Sequence, residues 1–266
     1  MAISIASWNV NSILARLPTA LAVLKTIDAD VVCLQELKCE DERFPRLEIE
    51  ALGYNVETHG QKTYNGVAIL SKHRIEEIAP GLPENEGVGE GDDHARYLEA
   101  VIAAPEGPIR VAALYAPNGN PVDSPKFPYK LAWMDRLIAH ARRLLTLEEP
   151  LVLAGDYNII PRDEDVDDPA AWRGDALFRA ESVGKYRTLV NLGLVDAFMQ
   201  TDGRARQFTF WDYQGGAWRR DHGIRIDHLL VSPQAADRLQ SVAIHREART
   251  LDKPSDHVPI IGTFAL

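Results

Sequence analysis

Polar residues that could do chemistry stand at the ends of several apolar runs in this sequence. Asn9 and Asn11 close ISIASWNVN, Glu36 closes DVVCLQE, Tyr115 closes VAALY, and Asp156 and Asn158 follow PLVLAG. Asp227 lies in RIDHLLVS, and Asp256 and His257 stand just before VPIIGTFAL. Side chains two apart on a strand share a face, so Asn9 can point with Asn11 and Asp156 with Asn158. If these strands are neighbours, their ends meet on one rim rich in carboxylates and amides, with one tyrosine and one histidine. Carboxylates crowded together repel unless a cation or a proton intervenes. An oxygen-rich donor set selects Mg²⁺ or Mn²⁺ over zinc. No cysteine falls at this rim, and His257 alone is too little for a histidine-rich zinc site. The chemistry such a rim favours is phosphate-ester hydrolysis, in which a cation neutralises oxygen charge, a base activates water and a donor stabilises the transition state. Taken singly, an Asp after a strand reads as a helix cap or turn residue, Asn118-Gly119 as a turn, and Tyr115 as the wet edge of a core. The weight lies in their coincidence.

The elements that must carry these residues are legible as short apolar runs separated by helical patterns. ISIASWN, ADVVCLQE, GVAILSK, RYLEAVIAA, IRVAALYAP, PLVLAGDYN, RIDHLLVS, LQSVAIHR and VPIIGTFAL have strand length. Apolar residues three and four apart predict helices over Pro18–Ile27, Ser124–Leu147 and Ala180–Leu192, and Pro18 and Pro45 suit first turns. Gly155 reads as the residue that lets the chain turn closely at the rim, with Tyr157 directed away into packing. The pattern predicts one α/β domain over residues 1–266, with much β structure and helices outside. With 45% hydrophobic residues, a sizeable core is available. No apolar run approaches the ~18–20 residues of a membrane helix, and MAISIASWNVNS lacks the basic start of a leader. Two cysteines, Cys33 and Cys39, lack metal-ligand spacing and predict a reducing, cytoplasmic setting.

A formal charge of −10 argues at first against a polyanionic partner. It is unevenly spread: Glu84–Asp93 and Asp163–Asp168 are acidic runs without a basic residue, whereas five arginines (204, 206, 219, 220 and 225) lie between Asp202 and Arg225. Local sign decides what a surface binds, so nucleic acid is not excluded; a solvated face is the plainer account of the arginines.

Together, SWNVNS, LQELK, GVAILSK, LYAPNG, KFPYK, LAGDYNIIP, FTFWDY, GIRIDHLLVS and SDHVPI resemble, in order and over nearly the whole chain, the exonuclease III family of abasic-site endonucleases. That family lies within the endonuclease/exonuclease/phosphatase superfamily. The resemblance implies a deoxyribonuclease I-like four-layer sandwich, two mixed β-sheets face to face with helices on both outer sides and the active site at one end. It implies that Glu36 holds the catalytic Mg²⁺ (or Mn²⁺), with Asn9, Asn11, Asp156, Asn158, Asp256 and His257 in or near its shell. Many relatives carry Asp where this chain has Asn11. Asp156 positions or deprotonates the attacking water, and the sequence leaves that choice open. Asn158 orients water or phosphate, His257 contacts the scissile phosphate, Asp227 holds the imidazole, and Tyr115 donates to the phosphate. Phe210, Trp211 and Ile226 line a small apolar pocket for a flipped, baseless deoxyribose, whose extrusion breaks no base pair. Lys126, Arg219 and Arg220 contact the DNA backbone, although Lys126 also reads as an exposed start to the long helix. The implied partner is duplex DNA with abasic sites or 3′ ends, met by a monomer away from membranes. The implied reaction is cleavage 5′ to an abasic site leaving a 3′-hydroxyl, with 3′→5′ exonuclease and 3′-end trimming. A lipid or phosphoinositide phosphatase shares the metal and His-Asp core but needs a membrane-facing element, and a non-catalytic nucleic-acid-binding module needs a damaged site.

Overall fold

Alternation and β-branched runs become twelve strands among the described residues of the computed structural model, which are 2–83, 92–105 and 107–265. They are β1 Ala2–Asn9, β2 Val31–Gln35, β3 Asn55–His59, β4 Val67–Ser71, β5 Arg74–Pro80, β6 Tyr97–Ala104, β7 Gly107–Tyr115, β8 Leu151–Asp156, β9 Val195–Asp196, β10 Asp227–Val231, β11 Leu239–Ile244 and β12 Ile260–Ala265. The helices are α1 Leu17–Ile27, α2 Arg46–Glu50, α3 Lys126–Leu145, α4 Pro169–Trp172, α5 Ala180–Asn191, α6 Ala197–Thr201, α7 Ala217–Arg220 and α8 Pro233–Ala236. The three helices expected from periodicity are α1, α3 and α5, each within two residues of its expected ends.

The strands sort into two six-stranded sheets, ordered β11-β12-β1-β2-β4-β3 and β5-β6-β7-β8-β10-β9. Each sheet holds one parallel pair, β1 with β2 and β7 with β8, and the other pairs are antiparallel. Parallel neighbours need a crossover, and α1 and α3 are those crossovers. They lie on opposite outer faces. One core, with Ile5, Cys33, Ile69, Ala100, Val111 and Leu229, fills the space between the sheets. A second packs α1 and α2 on the first sheet, and a third packs α3 and α5 on the second. The expected four-layer sandwich is formed.

This wiring brings the polar strand ends together. β1 and β2 finish side by side, with Asn9 opposite Gln35 and Glu36 just beyond. β7 and β8 also finish side by side, while β10 starts antiparallel to β8. Tyr115, Asp156 and Asp227 therefore stand in one row across three strands. Gly155 makes no turn: it lies within β8, where a Cβ would come 2.0 Å from the Leu114 carbonyl oxygen, so close strand packing demands it. The strands absent from the sequence reading, β3, β5 and β9, are all edge strands, polar or very short. Of the acidic run Glu84–Asp93, residues 84–91 lie outside the described residues. The run Asp163–Asp168 is not simply solvated: Asp165 is buried against Arg162 and Arg225, and Asp168 caps α4.

Candidate active site

Asn9 is the bracket of the site. Fully buried at the end of β1, it donates from Nδ2 to Glu36 Oε1 at 2.8 Å and to Asp156 Oδ2 at 3.0 Å. One amide thus ties a carboxylate of the first sheet to a carboxylate of the second. Its own Oδ1 accepts from the Asn11 N–H at 3.0 Å, so Asn9 orients both carboxylates and stands next to the expected metal shell. Asn11 joins Asp256 Oδ1, at 3.0 Å from its Nδ2, to Lys38 Nζ, at 2.6 Å from its Oδ1. Lys38 also sits 2.9 Å from Glu36 Oε2. An amide at position 11 can donate to Asp256; a carboxylate there would repel it. Asn11, Glu36, Lys38 and Asn158 all have φ between 45° and 55°, a left-handed backbone that costs a non-glycine residue energy and clusters at functional sites.

His257 and Asp227 form the expected pair, with Nδ1 2.8 Å from Asp227 Oδ2 and Nε2 3.8 Å from Asp156 Oδ2. Burial alone would lower the imidazole pKa, but Asp227, then Asp156 and Asp256, outweigh it and push it up to about 10. Burial raises the Asp156 carboxyl far above the usual carboxylate range, against the pull of the His257 cation and with Asp227 adding to the rise. Glu36 moves the other way. Its burial is outweighed by Lys38, the Asn9 hydrogen bond and His257, which hold it ionised. The Tyr115 phenol, largely withdrawn from water in a half-buried residue and facing the charges of Glu36 and Asp156, is pushed well above its ordinary range and stays a donor. Asp156 Oδ1 accepts from the Asn158 N–H at 2.8 Å, and the Asn158 amide bonds the Ala116 carbonyl at 2.9 Å and Asn118 at 3.2 Å.

Glu36, Tyr115, Asn118, Asp156, Asn158 and His257 line a cavity of about 340 Å³ together with the apolar side chains of Phe210, Ile224 and Ile226. Ligand atoms of Glu36, Asp156 and His257 all lie within 4.8 Å of one another. Two carboxylates held on one amide, with an imidazole beside them, fit a hard divalent cation better than a thiophilic one. Asp256 lines the same cavity.

Trp211 is a correction. It is fully buried, its Nε1 donates to Asp221 Oδ1 at 3.0 Å, and it packs edge-on to Trp218 away from the cavity. Bridges from Phe210 to both Ile224 and His257 turn Phe210 to the cavity, and alternation sends Trp211 behind. Ile224 takes the place expected of Trp211; its two-residue spacing from Ile226 was the available signal. Lys126, Arg219 and Arg220 stand exposed outside the cavity, Lys126 as the first residue of α3. Arg220 borders an adjoining hollow that shares Trp172 and His222 with the cavity. Asn118, read as a turn, and Lys38, hidden in LQELK, are polar members of the site that sequence reasoning missed.

Two β-sheets between helices, with a metal-fitting carboxylate cluster beside a His-Asp pair at one end, define a metal-dependent phosphodiester hydrolase of the deoxyribonuclease I-like fold. The sequence matches the Endonuclease/Exonuclease/phosphatase family over residues 6–257. It is 34% identical to exodeoxyribonuclease III of Haemophilus influenzae, covering 97% of this chain and 98% of that one. A Neisseria 3′ phosphatase solved with a product DNA hairpin superposes with a TM-score of 0.93 at 36% identity, over 99% of this chain and 100% of that one. An AP endonuclease from Archaeoglobus fulgidus gives 0.92 at 34% identity, over 99% and 100%. The chain belongs to the exonuclease III and AP endonuclease family.

Proposed function

We propose that this protein is a Mg²⁺-dependent DNA repair hydrolase that cleaves the phosphodiester 5′ to an abasic site, leaving a 3′-hydroxyl, and also trims 3′ ends. The observation that carries this reading is one cavity lined both by the Glu36–Asp156–His257 cluster and by the apolar side chains of Phe210, Ile224 and Ile226. Phosphate meets the polar groups while a sugar without its base meets the apolar side chains. The solved relatives whose names speak of a 3′ phosphatase and an AP endonuclease support both halves of the activity.

Glu36 would hold the cation, with Asp156 and Asp256 beside it. When bound, the cation supplies charge neutralisation at the phosphate oxygens. The remaining work falls to the chain. His257, kept protonated by Asp227, presents Nε2 as a donor to the phosphate. Tyr115 donates its phenolic proton beside it. Asp156, with its raised proton affinity, orients the attacking water and receives its proton, while Asn158 holds Asp156 Oδ1 through its N–H. Apolar side chains at 210, 224 and 226 exclude water from the sugar side. The enzyme acts as a monomer in the cytoplasm; the free, buried Cys33 and Cys39 fit a reducing compartment, and among the described residues no helix is long and apolar enough to cross a membrane.

The test is incision of a duplex carrying one abasic analogue, with Mg²⁺ or EDTA, beside a 3′-phosphate duplex and an inositol phosphate. Metal-dependent cutting of the DNAs alone is expected. Hydrolysis of the inositol phosphate without DNA cleavage overturns the reading. Asp156→Asn should lower turnover by roughly 10³-fold or more while duplex binding persists.

A further inference from the structure

Lys130 is fully buried on α3, on the helix face that also buries Phe127, Trp133 and Met134. Its amine meets two main-chain carbonyls, Pro117 O at 2.8 Å and Asn158 O at 2.7 Å. Asp156 and Asp175 act on it only through space. Burying a lysine amine is costly, and an aliphatic side chain would fill the same space without that cost. What lysine adds is a long stem ending in donors that reach two separate loops.

Those loops carry much of the polar lining of the cavity. Pro117 follows β7, between Tyr115 and Asn118; Asn158 follows β8 and Asp156. Asn158 has φ 49°, a conformation that needs outside support in a residue other than glycine. Its N–H is held by Asp156 and its carbonyl by Lys130. The β7 loop also rests on the lysine stem: Gly119 has φ 90°, and a Cβ there would lie 2.7 Å from Lys130 Cδ.

We propose that Lys130 is a positioning residue for hydrolysis, clamping the Pro117 and Asn158 carbonyls so that Asn118 and Asn158 present their amides to the reacting phosphate in one fixed geometry. This rests on the reaction proposed above. Small misplacements around a reacting centre cost about a hundredfold in rate, whereas substrate affinity, spread over a long DNA contact, is hardly touched.

The experiment uses the full chain with Mg²⁺. Wild type, Lys130→Met and Lys130→Gln are compared for single-turnover incision of the abasic duplex, for binding of that duplex in EDTA, and for thermal unfolding. Lys130→Met keeps the stem and loses the donors; it should lose roughly a hundredfold in rate, with the dissociation constant within threefold and the melting temperature little changed. Lys130→Gln, whose shorter amide retains two donors, should fall between the two. If Lys130→Met does not fold, Lys130→Gln carries the same comparison. A rate within threefold of wild type in the tested variant overturns the clamp, as does a rate loss matched by equal losses of binding and stability. An inactive wild type refutes the proposed reaction instead, so the two failures are separable.

Discussion

Asp227→Asn tests the electrostatics of the site most directly. Asp227 is fully buried, paired in register with Asp156, and its N–H donates to Thr209 Oγ1 at 3.2 Å. Asparagine preserves that volume and those backbone bonds, so the perturbation is the loss of one charge 2.8 Å from His257 Nδ1. The imidazole is disfavoured as a cation by its burial; Asp227 contributes the largest opposing effect, ahead of Asp156 and Asp256. Without it the imidazole should fall from about 10 towards its ordinary 6.5 and be largely neutral at physiological pH. A hydrogen bond to a charged group is worth about 1.5–3 kcal/mol, so kcat/KM should drop about 10- to 150-fold. Incision measured from pH 6 to 9 at saturating Mg²⁺ should show the deficit smallest at pH 6 and growing upward, because only the variant loses its imidazolium across that range. Stability should follow the same linkage. A group whose pKa is raised on folding stabilises fully below its unfolded value of 6.5 and loses that contribution as pH rises through about 10, so the wild-type melting temperature should decline across this window more than that of Asp227→Asn. A deficit under threefold, or one independent of pH, would refute the assignment of Asp227 as the keeper of a charged His257.

Three further outcomes are expected. His228 is buried, and burial, then Arg225, depresses its pKa to about 4. The unfolded chain therefore takes up this proton first, and stability should fall as pH drops from 6.5 to about 4, by about 3 kcal/mol when complete; urea unfolding of His228→Asn should show a shallower acid slope. Ile226→Ala trims the apolar lining of the cavity, and since a contact of this size discriminates by about 1–3 kcal/mol, the ratio of abasic incision to exonuclease on undamaged ends should fall roughly tenfold. An unchanged ratio would remove Ile226 from substrate selection. Gly155→Ala sets a Cβ against the Leu114 backbone, which cannot yield without parting β7 from β8; denaturant unfolding should show a loss of roughly 3 kcal/mol or more.

Local periodicity was enough to place α1, α3 and α5 and the buried strands, because each repeats its apolar spacing over enough residues to identify the face it buries. It failed at β3, β5 and β9, whose edge positions leave little apolar signal. The groups that meet at the candidate site were legible by type and by position after apolar runs, since carboxylates, amides and a histidine seldom gather there without a role. Lys130 illustrates the limit. KFPYK stood out as a motif, and Lys126 could be read as an exposed helix start, yet only the packing of α3 shows that Lys130 reaches two carbonyls. Trp211 and Ile224 show the same limit in an irregular stretch, where hydrogen bonds to distant residues set the facing and no period exists to read.

The sequence by itself determined the chemistry available: hard oxygen donors, a histidine to pair with a carboxylate, and aromatic and aliphatic residues beside them. Tertiary structure alone decided their arrangement. Two parallel strand pairs, one in each sheet, end at the same side of the sandwich, and one buried amide, Asn9, joins Glu36 to Asp156 across 120 residues of chain. Distances between such groups are fixed by strand register and sheet stacking, which depend on the whole core and are written in no local stretch of the chain.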